Sequence, residues 1–135
     1  PKSMQLNPAY NEVVSEIYDY LINKAELAKK VGVKNLIIDP GIGFGKRVSD
    51  NYEIIKRLYE FRGIGHPILI GLSKKSFLGK ALNLQIDERE EPTIIAEAIA
   101  IKNGARFIRT HNVKKAKYAV ELNRFFDSPE LLEYV

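Results

Sequence analysis

The sequence contains no cysteine and no tryptophan, one methionine and two histidines among 135 residues. Without thiols it can form neither a disulfide nor a thiolate metal site, and it suits a reducing compartment. No run approaches the roughly 18 uninterrupted apolar residues of a membrane helix, and no signal peptide is visible. A soluble, cytoplasmic protein without a membrane partner is the expectation. Charge of one sign is also scarce. Against 17 acidic residues stand 21 basic ones, leaving +4, and Lys and Glu interleave, so no nucleic-acid face is implied. The chain is too short to close an eight-stranded (β/α) barrel, which typically takes about 250 residues. Its opening on Pro1 rather than Met suggests a processed, truncated or partial product.

What is present is a packed-core composition, 45% apolar and 28% charged, and one organising stretch, Asp39-Pro40-Gly41-Ile42-Gly43-Phe44-Gly45-Lys46. It follows the apolar run Leu36-Ile37-Ile38, so an acid stands at the end of a buried strand, and a flexible, glycine-rich loop follows. Strand C-termini are where α/β proteins keep their chemistry. Two further strand ends look alike: Ile68 to Ser76, with Ser73-Lys74-Lys75-Ser76, and Phe107-Ile108-Arg109-Thr110-His111.

The remaining chain alternates with these. Asn7-Pro8 offers a helix start, and Val14, Ile17, Tyr18, Leu21, Ala25 and Ala28 repeat at helical spacing to about Lys30, before Gly32. Asn35–Ile38 is expected to be a parallel strand. Asp50 and Glu53 have capping-box spacing, ahead of a helix with Ile54, Ile55, Leu58, Tyr59 and Phe61 on one face, broken by Gly63 and Gly65. Pro67–Leu72 predicts the second strand, and Ser73 a cap for a short helix to Leu82. Residues 83–91 read as loop, and Pro92 as the start of a helix carrying Ile95, Ala96, Ile99 and Ala100. Ala105–Ile108 predicts the third strand. Asn112 would cap a last helix through Ala116, Ala119, Val120 and Leu122 to Phe126, interrupted at Ser128-Pro129. Three strand–helix units predict a parallel sheet with right-handed crossovers. Its two open edges predict a missing N-terminal half, a partner chain or a swapped dimer.

Parallel strands would bring Asp39, the Ser73–Ser76 turn and Arg109–His111 to one face. A carboxylate can accept two hydrogen bonds from a planar N–H/NH₂ edge, and a guanidinium stacks on flat rings or pairs with phosphate. His111 and the amides opening the next helix would favour an anion. By position alone, Asp39 serves equally well as a loop cap. Lys74 and Lys75 also fit a solvated pair, His111 polar surface and Phe44 core. His66 lies at the opposite end of its strand and receives no role.

Jointly, the three motifs resemble those of the dihydropteroate synthase family, folate-pathway enzymes of a TIM-barrel superfamily of pterin binders and targets of sulfonamides. The stretches look like that family's Asp-Pro-Gly-x-Gly-Phe-Gly-Lys, Gly-x-Ser-Arg-Lys-Ser and Arg-x-His-Asp motifs, in the same order. The resemblance implies the C-terminal portion of a (β/α)₈ barrel, with residues 1–135 forming part of one pterin-binding domain whose N-terminal half is absent. It implies pterin contacts from Asp39, Lys75 and Arg109, and pyrophosphate contacts from Arg109 and His111. It also implies p-aminobenzoate contacts from Gly43, Phe44 and Ser76, with Lys75, Arg109 and His111 as the catalytic set. The implied reaction condenses 6-hydroxymethyl-7,8-dihydropterin pyrophosphate with p-aminobenzoate. The family's magnesium would have its ligand in the absent half, with no metal ligand in this chain. A homodimer, or pairing with the missing half, is implied as well, and little activity is expected from this chain alone. Lys74 departs from the motif's arginine and loses its planar fork. Asn112 departs from its aspartate but caps a helix as well. Two other readings stand beside this one, a pterin-binding methyltransferase of the same superfamily and a non-catalytic half-barrel serving binding or assembly.

Overall fold

The computed structural model describes residues 10–134. The expected helix start at Asn7-Pro8 lies outside them. Helix α1 spans Val13–Lys30 and buries Val13, Val14, Ile17 and Ala25. Glu12 caps it, its carboxylate accepting the Ser15 N–H at 2.6 Å, and Gly32 follows its end at φ 91°, the left-handed turn-out for which glycine is suited.

The sheet is parallel and central but short. Ile38 forms a single parallel bridge to Ile68, and strand β1, Leu69–Ile70, pairs in parallel with β2, Phe107–Ile108. The expected strand Asn35–Ile38 is thus reduced to one residue. Among the described residues nothing pairs with its outer edge, and Val33 and Ile37 are exposed. Its place beside β1 is nevertheless set by two bonds, Ile38 N–H to the Pro67 carbonyl at 2.9 Å and Leu69 N–H to the Ile38 carbonyl at 2.8 Å. The Arg109 N–H donates to the Ile70 carbonyl at 2.9 Å, so the ends of all three segments stand side by side.

Helix α2, Val48–Lys56, starts two residues before the expected cap. Asp50 is its third residue, and its carboxylate accepts the Arg47 N–H at 2.8 Å. The acidic side chain therefore reaches back from inside the first turn. After Lys56 the chain tightens into a 3₁₀ segment, Leu58–Ile64, closed by Gly65 at φ 80°. Three residues per turn place Leu58, Phe61 and Ile64 inward and leave Tyr59 exposed, because the helical face changes with the period. Gly63 lies within this segment and does not break it.

Helix α3 is Ser76–Leu82, with no side-chain cap; Ser73 lies outside it. The expected loop 83–91 contains a 3₁₀ turn, Asp87–Arg89, and the first residues of α4, Glu90–Lys102. Pro92 is the third residue of that helix, a position whose N–H needs no intrahelical partner. α4 turns Thr93, Ala96, Glu97 and Ala100 inward and leaves Ile95 and Ile99 exposed. Small residues on both sides let α4 lie close to α5, Val113–Asp127, which buries Ala116, Ala119 and Asn123. Asn123 donates to the Ala98 carbonyl at 3.1 Å across that contact. Val120, Leu122 and Phe126 face outward. A 3₁₀ segment, Pro129–Tyr134, follows. Phe61, Phe77, Ile54, Leu58, Ile68, Ile70 and Leu72 form the fully buried centre of the core and support the strand ends from below.

Candidate functional site

Asp39 follows Ile38 directly, and its carboxylate does two things. Oδ1 accepts the Gly41 N–H at 2.8 Å, closing an Asx-type turn, while Oδ2 lies 3.3 Å from Nη2 of Arg109. Loop cap and site member are one residue. The loop beyond is clamped from both sides. The Lys46 ammonium donates to the Gly41 and Phe44 carbonyls at 2.7 and 3.0 Å, and burial pushes its pKa down, with Lys75 contributing and Asp39 and Asp50 opposing. Asn51 accepts the Gly43 N–H through Oδ1 at 2.7 Å and donates through Nδ2 to the Arg47 carbonyl at 2.7 Å. Sequence reasoning assigned roles to neither Lys46 nor Asn51. The signal for Asn51 was a polar residue on the stripe that continues as Ile54 and Ile55, and it is 2% exposed.

Lys75 reaches back over this loop. Its ammonium donates to the Ile42 carbonyl at 2.9 Å and sits 4.3 Å from the Phe44 ring centroid. A side chain at Gly43 would place its Cβ 3.1 Å from Lys75 Cδ, so glycine is required there by proximity as well as by its φ of 83°. Burial lowers the Lys75 pKa, the Arg109 guanidinium adds to the effect, and Asp39 opposes it. The preceding Lys74 holds φ 54°, a left-handed conformation uncommon for a side-chain-bearing residue. Its N–H donates to Thr93 Oγ1 at 3.0 Å, and its carbonyl accepts from Arg89 at 3.3 Å. The residue at this position thus serves the turn through its backbone.

The third strand end completes the site. His111 meets Ser73 twice, ring Nδ1 to Oγ at 2.7 Å and backbone N–H to Oγ at 3.3 Å. Ser73, expected to cap a helix, instead ties two strand ends together. Asn112 caps α5 as expected, its Oδ1 accepting the Lys115 N–H at 3.0 Å. Its amide also donates to Glu90 Oε1 at 2.7 Å, where an aspartate would oppose a second carboxylate.

Asp39, Lys75 and Arg109 therefore converge, and His111 stands beside them. Gly71, Ser73, Lys75, Arg109, Thr110 and His111 line a recess of about 260 Å³. A second recess, about 200 Å³, is lined by Gly43, Lys46, Asn51, Ser76 and Phe77 among others. Phe44 is 53% exposed and so is not a core residue. A face with a carboxylate, a lowered-pKa lysine, an arginine and a histidine suits a flat, hydrogen-bonding ring that carries an anion. Among the described residues no group of three His, Cys, Asp or Glu side chains is placed to hold a metal. Both Asp39 oxygens are engaged by protein donors, and the magnesium implied by the resemblance would take its ligand from outside this chain.

The chain is similar in sequence and fold to known proteins. It is 38% identical to dihydropteroate synthase of Escherichia coli over 124 residues, which are 90% of this chain and 44% of that protein. Dihydropteroate synthase from Thermus thermophilus in complex with 4-aminobenzoate superposes with a TM-score of 0.87 at 32% identity, covering 92% of this chain and 51% of that one. The same enzyme in complex with 6HMPPP superposes with a TM-score of 0.86 at 32% identity, covering 92% and 50%. The chain thus spans about half the length of these relatives, and its fold is a portion of an α/β barrel. The pterin binding enzyme model matches residues 1–111, which include all three strand ends that build the site. The chain belongs to the pterin binding enzyme family.

Proposed function

We propose that this chain supplies the C-terminal part of a dihydropteroate synthase active site, a transferase centre that joins a pterin to an aromatic amine. The observation that carries this reading is the approach of Arg109 to Asp39 at 3.3 Å beside Lys75, uniting three strand ends far apart in sequence. The relatives' complexes with 4-aminobenzoate and 6HMPPP support it.

In this reading Asp39 accepts hydrogen bonds from the pterin's N–H edge, Lys75 donates to the ring, and Arg109 flanks it. His111 and Arg109 meet the pyrophosphate. Gly43, Phe44 and Ser76 receive p-aminobenzoate, whose carboxylate lies near the start of α3. The aniline nitrogen's lone pair forms a bond to the pterin methylene carbon as the carbon–oxygen bond breaks. Pyrophosphate leaves with that electron pair, and the nitrogen gives its proton to solvent. These residues act by alignment and by stabilising the departing anion, so no strong base is required. A neutral Lys75 would lose the donor strength this task needs, so its burial, with the Arg109 neighbour adding to it, limits how alkaline the site can work.

The reading includes a cytoplasmic location and a site incomplete without further protein. Ile95 and Ile99 on α4, with Tyr118, Leu122 and Phe126 on α5, are exposed at helical spacing, which supports pairing with a second copy. Supplying the remaining half-barrel in trans tests the completeness of the site. Turnover should appear only with both parts, and robust turnover by the 135-residue chain alone would refute this reading.

A further inference from the structure

Glu97 is the one carboxylate in the described core with no visible task. It is 0% exposed on α4, and among the described residues neither of its oxygens has a hydrogen-bond partner. The Thr110 hydroxyl is likewise buried without a partner among the described residues; Thr110 lines one recess with Thr93 and Ile94, and Thr93 stands one turn before Glu97 on the same inward face of α4. A buried unpaired carboxylate is among the most costly groups a core can hold. Replacement by an apolar residue would be expected unless the group has a function. Thr110 is placed to transmit one, because it sits between Arg109 and His111, the two residues that face the proposed anion.

We propose that Glu97 is a positioning residue: its neutral carboxyl group hydrogen-bonds the Thr110 hydroxyl and thereby fixes the Arg109–Thr110–His111 turn toward the anion. This rests on the function proposed above. A protonated carboxyl has one O–H donor and one carbonyl acceptor, and a threonine hydroxyl has one donor and can accept. A reciprocal pair of this kind would satisfy all three buried oxygens at once. Burial raises the Glu97 pKa, with the hydroxyl partly opposing it, so its surroundings favour the uncharged form over the charged one. From the other side the turn is fixed by Ser73, through the His111 ring and backbone. Thr110 is therefore the inner anchor of a segment whose outer anchor is already bonded.

The test uses the 135-residue chain with Glu97→Leu, Glu97→Gln, Thr110→Val and the Glu97→Leu/Thr110→Val pair. Infrared spectra at neutral pH should contain a protonated-acid carbonyl band that is lost in Glu97→Gln and shifted in Thr110→Val. Backbone amide shifts of Arg109, Thr110 and His111 should move in Glu97→Leu and return toward wild type in Glu97→Gln, whose amide can donate to Thr110. Affinity for inorganic pyrophosphate should fall roughly three- to tenfold in Glu97→Leu, as for one lost hydrogen bond, and the pair should lose no more than either single change. Thermal stability of Glu97→Leu should be unchanged or higher, because an apolar group replaces a poorly partnered polar one. A merely structural Glu97 predicts the opposite, stability and affinity lost together without rescue by glutamine, and that result overturns the proposal. So does the absence of a protonated-acid band, or unmoved turn amides. If the wild-type chain does not bind pyrophosphate even with the remaining half-barrel supplied in trans, the anion-site reading fails, whereas the infrared and amide results still decide the Glu97–Thr110 coupling.

Discussion

Gly71→Ala separates site geometry from fold stability. Gly71 follows β1 and does not need a positive φ, so alanine is compatible with its backbone. A Cβ there would lie 2.9 Å from Nη2 and 3.1 Å from Nε of Arg109. Ordinary contact begins near 3.4 Å, so the guanidinium must retreat by about half an ångström or swing away. The Arg109 side chain is 62% exposed, so it can move without disturbing the core. The pair it leaves, with a 34%-exposed Asp39, is worth at most about 1 kcal/mol at such exposure. Against this, replacing glycine stabilises by about 0.4–1 kcal/mol through the unfolded chain. The midpoint of urea unfolding should therefore hardly change. Binding should change strongly, because a charge-assisted contact to the ligand is worth about 1.5–3 kcal/mol, or roughly 10- to 150-fold in affinity. Calorimetric titration with 6-hydroxymethyl-7,8-dihydropterin pyrophosphate, run beside urea unfolding, measures both. Unaltered affinity would refute the role given to Arg109, and a large loss of stability would refute the placement of its side chain.

Asn51→Ala removes the acceptor for the Gly43 N–H and the donor to the Arg47 carbonyl, leaving both in a buried setting. It should cost about 2–3 kcal/mol in urea unfolding and increase hydrogen exchange at Gly43. At alkaline pH, Lys75 has a pKa below the ordinary lysine value, so pterin pyrophosphate affinity should decline before an exposed lysine would titrate. The same depressed pKa makes the unfolded chain bind more protons in that interval. Its contribution to stability therefore rises with pH, is complete above the ordinary value, and is lost as pH falls through the lowered one; affinity and stability should move in opposite directions between these limits. At acid pH, the Ser15 hydrogen bonds first, and Arg57 with them, hold the Glu12 pKa at about 2 against an ordinary 4.5. Glu12 thus contributes stability that is present above 4.5 and lost as pH falls toward 2, and Glu12→Gln should flatten acid denaturation over that range.

The strand ends were legible because an acid or a basic pair directly after a short apolar run has few other uses in an α/β chain. Asp39, Lys75 and Arg109 meet as their parallel strands require, and the Gly32 and Asn112 helix signals hold. What escaped notice depended on partners distant in sequence. Ser73 looks like a helix cap until His111 arrives from 38 residues away, and Asn51 looks like a surface residue until the Gly43 amide reaches it. The inward faces of α4 and α5 are not announced by their largest apolar residues, because close helix packing selects alanine, threonine and asparagine. The larger Ile95, Ile99 and Phe126 are left outside, where hydrophobic periodicity alone would place them in the core. Tyr59 was misplaced by a change of helical period that no local residue announces.

The central claim is that the three strand ends form a pterin pyrophosphate site, and calorimetric titration of the 135-residue chain with that ligand, beside Lys75→Ala, tests it most directly. The account predicts measurable binding by the wild-type chain, lost in a Lys75→Ala variant that remains folded by circular dichroism. Equal binding by both, or none by a folded wild-type chain even with the remaining half-barrel supplied in trans, would contradict it.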